Sequence, residues 1–145
     1  MSATADHAEE RTNPAARLGF EPGQVVQEIG YDDDVEQELR EGIEAVTGQE
    51  IVDEDYDDVA DVVLLWFRDE DGDLTDALVD AIGLIEEGGA VWLLTPKTGR
   101  DGYVEPSDIN EAAQTAGLSQ TKSINAGKDW TGSRLVTPKA AKSKR

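Results

Sequence analysis

The 145-residue sequence has no cysteine and one histidine, His7. Without cysteine there is no disulfide scaffold, no thiolate-ligated zinc or iron–sulfur centre and no cysteine nucleophile. His7 lies in an unpatterned N-terminal stretch. The patterned part of the chain therefore carries neither a Ser–His–Asp triad nor a histidine general base. Long apolar runs are missing too. The longest is Val62 to Phe67, six residues, against the roughly 20 that a membrane-spanning helix needs. Residues 1–13 lack the apolar core of a secretory signal, so the expectation is a cytoplasmic protein with no membrane partner. The phosphate-cradling Gly-x-x-x-x-Gly-Lys-Ser/Thr loop is absent as well.

Basic residues are scarce: 13 Lys and Arg against 32 Asp and Glu, a net charge of −19. The imbalance is local. Residues 1–87 hold 27 of the acids and 4 of the bases, a net −23, whereas residues 88–145 net +4. An acidic half repels phosphate, on whose neutralisation nucleic-acid affinity largely rests, so the core is not expected to bind nucleic acid. The acid excess has three readings: solubility, a docking face for a basic protein partner, or adaptation to high salt. Oligomeric state is not legible.

Residues 1–16 read as a disordered acidic tail and 138–145 as a disordered basic tail, leaving one domain over 17–137. Within it strand and helix patterns alternate. Gln24 to Ile29 reads as a strand after the Glu21-Pro22-Gly23 turn. Asp32 to Val46 reads as a helix with Val35, Leu39, Ile43 and Val46 on one face, Asp33 and Glu36 at capping-box spacing, and Gly48 as its stop. Glu50 to Val52 suggests a short strand, followed by the acidic loop Asp53 to Asp58. Asp61 to Phe67 is continuously apolar, as in a parallel strand covered on both faces. Leu74 to Ile85 has helical periodicity, with Gly88-Gly89 as its expected end. Ala90 to Thr95 is a second buried strand. Pro106 to Ala116 is a helix with Pro at its start and Gly117 past its end. Leu118 to Ala126 and Ser133 to Thr137 form a closing strand pair.

The order implies an α/β three-layer sandwich with a mainly parallel sheet and an antiparallel pair at the C-terminus. Asp61–Phe67 and Ala90–Thr95 should be adjacent, central and parallel. Ligands in such sheets sit beyond the carboxyl ends of the strands. That edge carries Gly30-Tyr31-Asp32, Asp53-Glu54, Arg68-Asp69, Pro96-Lys97-Thr98 and Lys128-Asp129-Trp130. Asp53 lies 23 residues after Gly30, near the roughly 20-residue spacing of a ribose-binding acid. Lys97 and Lys128 are candidate anion or partner contacts. Trp66 and Trp92 read as core. Trp130 is either a core plug or a contact for a ligand or partner. Asp69-Glu70-Asp71-Gly72-Asp73 has its glycine at position 4, not 6, of a calcium loop, so it reads as a strand-to-helix turn and no metal is expected.

Three segments resemble class I S-adenosylmethionine methyltransferases. Phe20 to Gly30, with its Pro-Gly turn, resembles their first strand. Asp61 to Phe67 resembles the fourth, and Leu84 to Pro96, through Gly88-Gly89, resembles the fifth. With Trp130-Thr131-Gly132-Ser133 added, residues 18–137 are similar to the uncharacterised bacterial family called domain of unknown function 3052. That resemblance implies a reduced methyltransferase-like (Rossmann-type) topology and brings no established activity. It would place Gly30, Asp53 and Arg68 at the cofactor position. A cofactor loop needs several glycines for close backbone approach, yet Tyr31 and Asp32 to Asp34 follow Gly30. The 14 residues between Val46 and Asp61 are too few for a second strand, a helix and a third strand. The expectation is a vestigial site, no bound cofactor, no catalytic residue and a non-enzymatic interaction or regulatory module. The alternative is a small S-adenosylmethionine- or nucleotide-binding protein or enzyme with a reduced site.

Overall fold

The apolar run after Asp61 builds the centre of the sheet. In the computed structural model, which describes residues 18–137, β2 spans Ala60–Trp66 and six of its seven residues are buried. Parallel partners flank it: β1 (Val26–Ile29) on one side and β3 (Ile85–Pro96) on the other. β4 (Ser119–Asn125) and β5 (Trp130–Val136) pair antiparallel to each other, and β5 pairs antiparallel to β3. The five-strand order is β1-β2-β3-β5-β4. A single parallel bridge from Gln27 to Val52 adds a one-residue sixth position outside β1.

Helices cover both faces. α1 (Gln37–Thr47) lays Leu39 and Ile43 against Val26, Val62, Leu64, Trp66, Trp92 and Leu94. α2 (Leu74–Ile82) and α3 (Pro106–Ala116) cover the other face, where Leu78, Ile109 and Ala113 meet Val63, Leu65, Val91 and Leu93. Residues 62 to 66 thus alternate between two cores with the strand period of two. The three-layer, mainly parallel architecture and the central, adjacent β2 and β3 match the expectation.

The boundaries differ in instructive places. α1 begins at Gln37, not Asp32, and its N-cap Glu36 makes no side-chain cap. The Asp33–Glu36 capping box is absent because Asp32 to Asp34 belong to the loop over the sheet edge. Val35 is still buried, at 7% exposure, from that loop. α2 stops at Ile82 and the chain turns at Gly83, so Ile85 opens β3 opposite Ala60 instead of closing the helix. Gly88 and Gly89 lie within the strand. A Cβ on Gly89 would sit 2.6 Å from the Asp61 carbonyl oxygen, so the glycine permits close approach of β2. The expected strand at Glu50–Val52 is reduced to Val52. β5 begins at Trp130, three residues before Ser133. α3 has the expected bounds, with Gly117 left-handed at φ 87° and bonded back to Ala113 and Gln114. The two tail assignments lie outside the described residues.

Candidate functional site

The chain leaves β1 through α1 to Val52 on the outer side of β1, then returns to β2 on the inner side. Connections therefore diverge between β1 and β2, and the crevice at their carboxyl ends is where an α/β sheet receives a ligand. Gly30 and Arg68 stand at its two sides. A pocket of about 330 Å³ remains above them, bordered by Tyr31, Asp32, Glu54 and Asp71.

Arg68 fills the crevice. Its side chain follows directly after β2 and is 8% exposed. Nε and Nη2 donate to the two carboxylate oxygens of Asp34 at 3.1 and 2.5 Å. Nη1 donates to the carbonyls of Gly30 (2.9 Å) and Trp66 (3.3 Å) and to Asp71 Oδ2 (3.2 Å). The guanidinium carbon lies 5.2 Å from the Trp130 ring centroid. Gly102 covers the aliphatic stem, where a Cβ would meet Arg68 Cβ at 2.9 Å. The planar fork is thus engaged on both edges and one face.

The surrounding groups continue the same network. Trp130 Nε1 donates to the Asp34 carbonyl at 3.0 Å, and its ring meets Trp66 edge-on at 4.9 Å. Trp66 Nε1 donates to Glu28 Oε2 at 2.9 Å, and Glu28 also accepts two bonds from Arg40, at 2.7 and 2.9 Å. Burial disfavours the Arg68 cation, but its hydrogen bonds to Asp34 and Asp71 outweigh this and hold its pKa above the ordinary value. The Arg68 hydrogen bond holds the Asp34 carboxyl below the usual range. The hydrogen bond to Glu28 raises Arg40 likewise.

Gly30 has φ +83° and an added Cβ would collide with the Trp66 carbonyl. Glycine here serves strand packing. Its N–H, the group a cofactor loop would offer, already donates to Glu54 Oε2 at 3.0 Å. A carboxylate-bearing cofactor would meet Asp32, Glu54 and Asp71 with the nearest cation fully engaged. These residues do not fit S-adenosylmethionine.

Gly30 and Arg68 therefore come together, as sequence position implied, but they meet each other. Asp53 stands just beyond Val52, exposed, on a polar hollow of about 470 Å³ shared with Glu28, Tyr31, Arg40, Glu54 and Asp55. Gln27, fully buried, pins this loop by donating to the carbonyls of Asp53 and Tyr56. The Lys97, Lys128 and Trp130 group divides. The Lys97 N–H does pair with the Asp129 carbonyl, yet Trp130 is 2% exposed and buried beneath α1, so it is the core plug and not a surface contact. Lys97 is half-buried and Lys128 exposed. No cluster of three or more His, Asp or Glu among the described residues has the arrangement of a metal site. Glu28 was not singled out from sequence, and Asp34, Glu54 and Asp71 were read only as parts of acidic loops, not as partners of Gly30 and Arg68. One signal was present: Arg68 is the sole basic residue between Arg40 and Lys97.

No helix among the described residues is long and apolar enough to cross a membrane. Solved structures similar to this one are methyltransferases. Human N-acetylserotonin methyltransferase in complex with SAM has a TM-score of 0.63 at 13% identity, over 89% of this chain and 51% of that one. The CcbJ methyltransferase from Streptomyces caelestis gives 0.56 at 12%, over 90% and 95%. Ribosomal protein L11 methylase from Lactobacillus delbrueckii subsp. bulgaricus gives 0.54 at 17%, over 90% and 78%. At these identities they establish the fold alone. Uncharacterized proteins of Mycobacterium tuberculosis and Mycobacterium bovis are each 52% identical over 141 residues, covering 97% of this chain and 87% of theirs. The family described as protein of unknown function (DUF3052) matches residues 15–139. On that match, and on the methyltransferase-like sheet beneath it, the chain belongs to the DUF3052 family.

Proposed function

We propose that this protein is a non-enzymatic interaction module on a methyltransferase-like scaffold. One observation carries the reading: the crevice that such a sheet opens to a ligand is filled by Arg68, bonded to Asp34, Asp71 and two backbone carbonyls. Over that plug the loops 30–34 and 53–58 meet through the Glu54 bond to Gly30. Asp32, Asp33, Asp53, Glu54 and Asp55 are all exposed there, beside Tyr31 at 51% exposure. A rim of carboxylates around an exposed aromatic suits a basic protein segment, which gains association rate from the field and contact area from the ring.

Calorimetric titration with S-adenosylmethionine and S-adenosylhomocysteine tests the reading. A flat titration is expected for both. A micromolar dissociation constant for either would overturn it and return Gly30, Asp53 and Arg68 to the role of cofactor contacts.

A further inference from the structure

On the face of the sheet under α3, the strands change character toward one end. β3 presents Val91, Leu93 and then Thr95; β5 presents Leu135, then Ser133 and Thr131 at the paired positions. The alternation that buries Leu93 and Leu135 in the core carries these three hydroxyls onto the floor of a cavity of about 420 Å³. Ser123 of β4 extends the floor, and the loop from Lys97 to Val104 with the start of α3 forms the wall. The volume is that of a small-molecule site. It lies on the sheet face opposite Trp130 and shares no lining residue with the crevice at Gly30 and Arg68.

Thr95 and Ser133 are each 2% exposed. Neither hydroxyl makes a hydrogen bond among the described residues. Buried hydroxyls are ordinarily bonded. Here they are open to the cavity and to whatever fills it. The charge is also unlike the rest of the molecule. In a chain of net −19, no Asp or Glu lines the cavity and one lysine, Lys97, does. Lys97 makes no ion pair among the described residues. Val104 and Ile109, 6% and 5% exposed, supply an apolar wall.

We propose that this cavity binds a small organic monocarboxylate, with Lys97 and the Thr95 and Ser133 hydroxyls on the carboxylate and Val104 and Ile109 on its hydrocarbon part. One cation and neutral hydroxyls match a single negative charge. A phosphate dianion would want more. The α3 N-terminus adds little, because Pro106 has no N–H, those of Asp108 and Ile109 already bond to the Glu105 carbonyl, and Ser107 does not line the cavity. The inference is independent of the reading of the Arg68 crevice.

The test follows backbone amide signals of the full chain on addition of hexanoate, benzoate and 4-phenylbutyrate, each paired with its primary amide. At least one carboxylate should shift the signals of Lys97, Thr98, Tyr103, Thr131 and Ser133 with a dissociation constant below about 1 mM. Its amide, and the Lys97→Gln protein, should bind about tenfold more weakly or worse. Thr95→Val, which keeps the side-chain shape, should weaken binding as well. The unperturbed remainder of each variant's spectrum verifies its fold. No shift at these residues with any carboxylate at about 10 mM, or amides binding as tightly as the acids, would overturn the proposal.

Discussion

Arg68 draws its importance from how many groups depend on it. Truncation to alanine would leave the Gly30 and Trp66 carbonyls without their donor and bare one face of Trp130. Charged hydrogen bonds of this kind contribute roughly 1.5–3 kcal/mol, so Arg68→Ala should lower stability by about 2–3 kcal/mol in denaturant unfolding. Asp34 is different, since its side chain is 56% exposed and water can replace its partner. Asp34→Asn should cost under about 1 kcal/mol at neutral pH. Equal losses would mean that the ion pair, and not the carbonyl contacts, holds the plug. Its pH dependence has a definite sign. The folded Asp34 carboxyl lies below its ordinary value because of the Arg68 hydrogen bond. The stability it adds is therefore complete above about pH 4 and is lost as pH falls through the lowered folded value. Melting curves of wild type and Asp34→Asn should converge as the pH drops below that point. A gap that widens there would contradict the assignment.

At the scale of elements, α2 shows what periodicity reads well and what it misreads. Leu74, Ala77, Leu78 and Ala81 do face the sheet, and Leu78 is fully buried. Ile82, in phase with them, is only half-buried because it ends the helix. Leu78→Ala should therefore cost about 2–5 kcal/mol, while Asp76→Ala on the exposed face should cost under about 0.5. Similar costs at both positions would show the wrong face. Ile85 fits the same helical phase yet belongs to β3, because an apolar residue after a turn satisfies either pattern and the pairing with Ala60 decides. The start of α1 has a related cause. Asp33 and Glu36 carry a capping signature, but Arg68 binds Asp34 and holds that stretch as a loop across the sheet edge. Local signals set the type and order of elements. Their ends were fixed by contacts distant in sequence.

The same limit governs the molecule as a whole. The continuous apolar runs made the parallel core legible, and the missing glycines after Gly30 marked the crevice as altered. The plug itself was not legible, because it joins Asp34, Arg68 and Trp130 across separations of 34 and 62 residues. Charge counting placed acids at this edge, where Asp32 and Glu54 do line the crevice, but not the internal cation beneath them. On the proposed reading, a side chain of the chain's own, Arg68, takes the crevice that such a sheet opens to a ligand. The most direct measurement is the guanidinium Nε–H signal of Arg68 in nitrogen–proton spectra, assigned by its loss in Arg68→Lys. A sealed crevice predicts a signal protected from water exchange at neutral pH and unmoved by S-adenosylmethionine. A signal exchanging as fast as that of an exposed arginine, or shifting when S-adenosylmethionine is added, would contradict it.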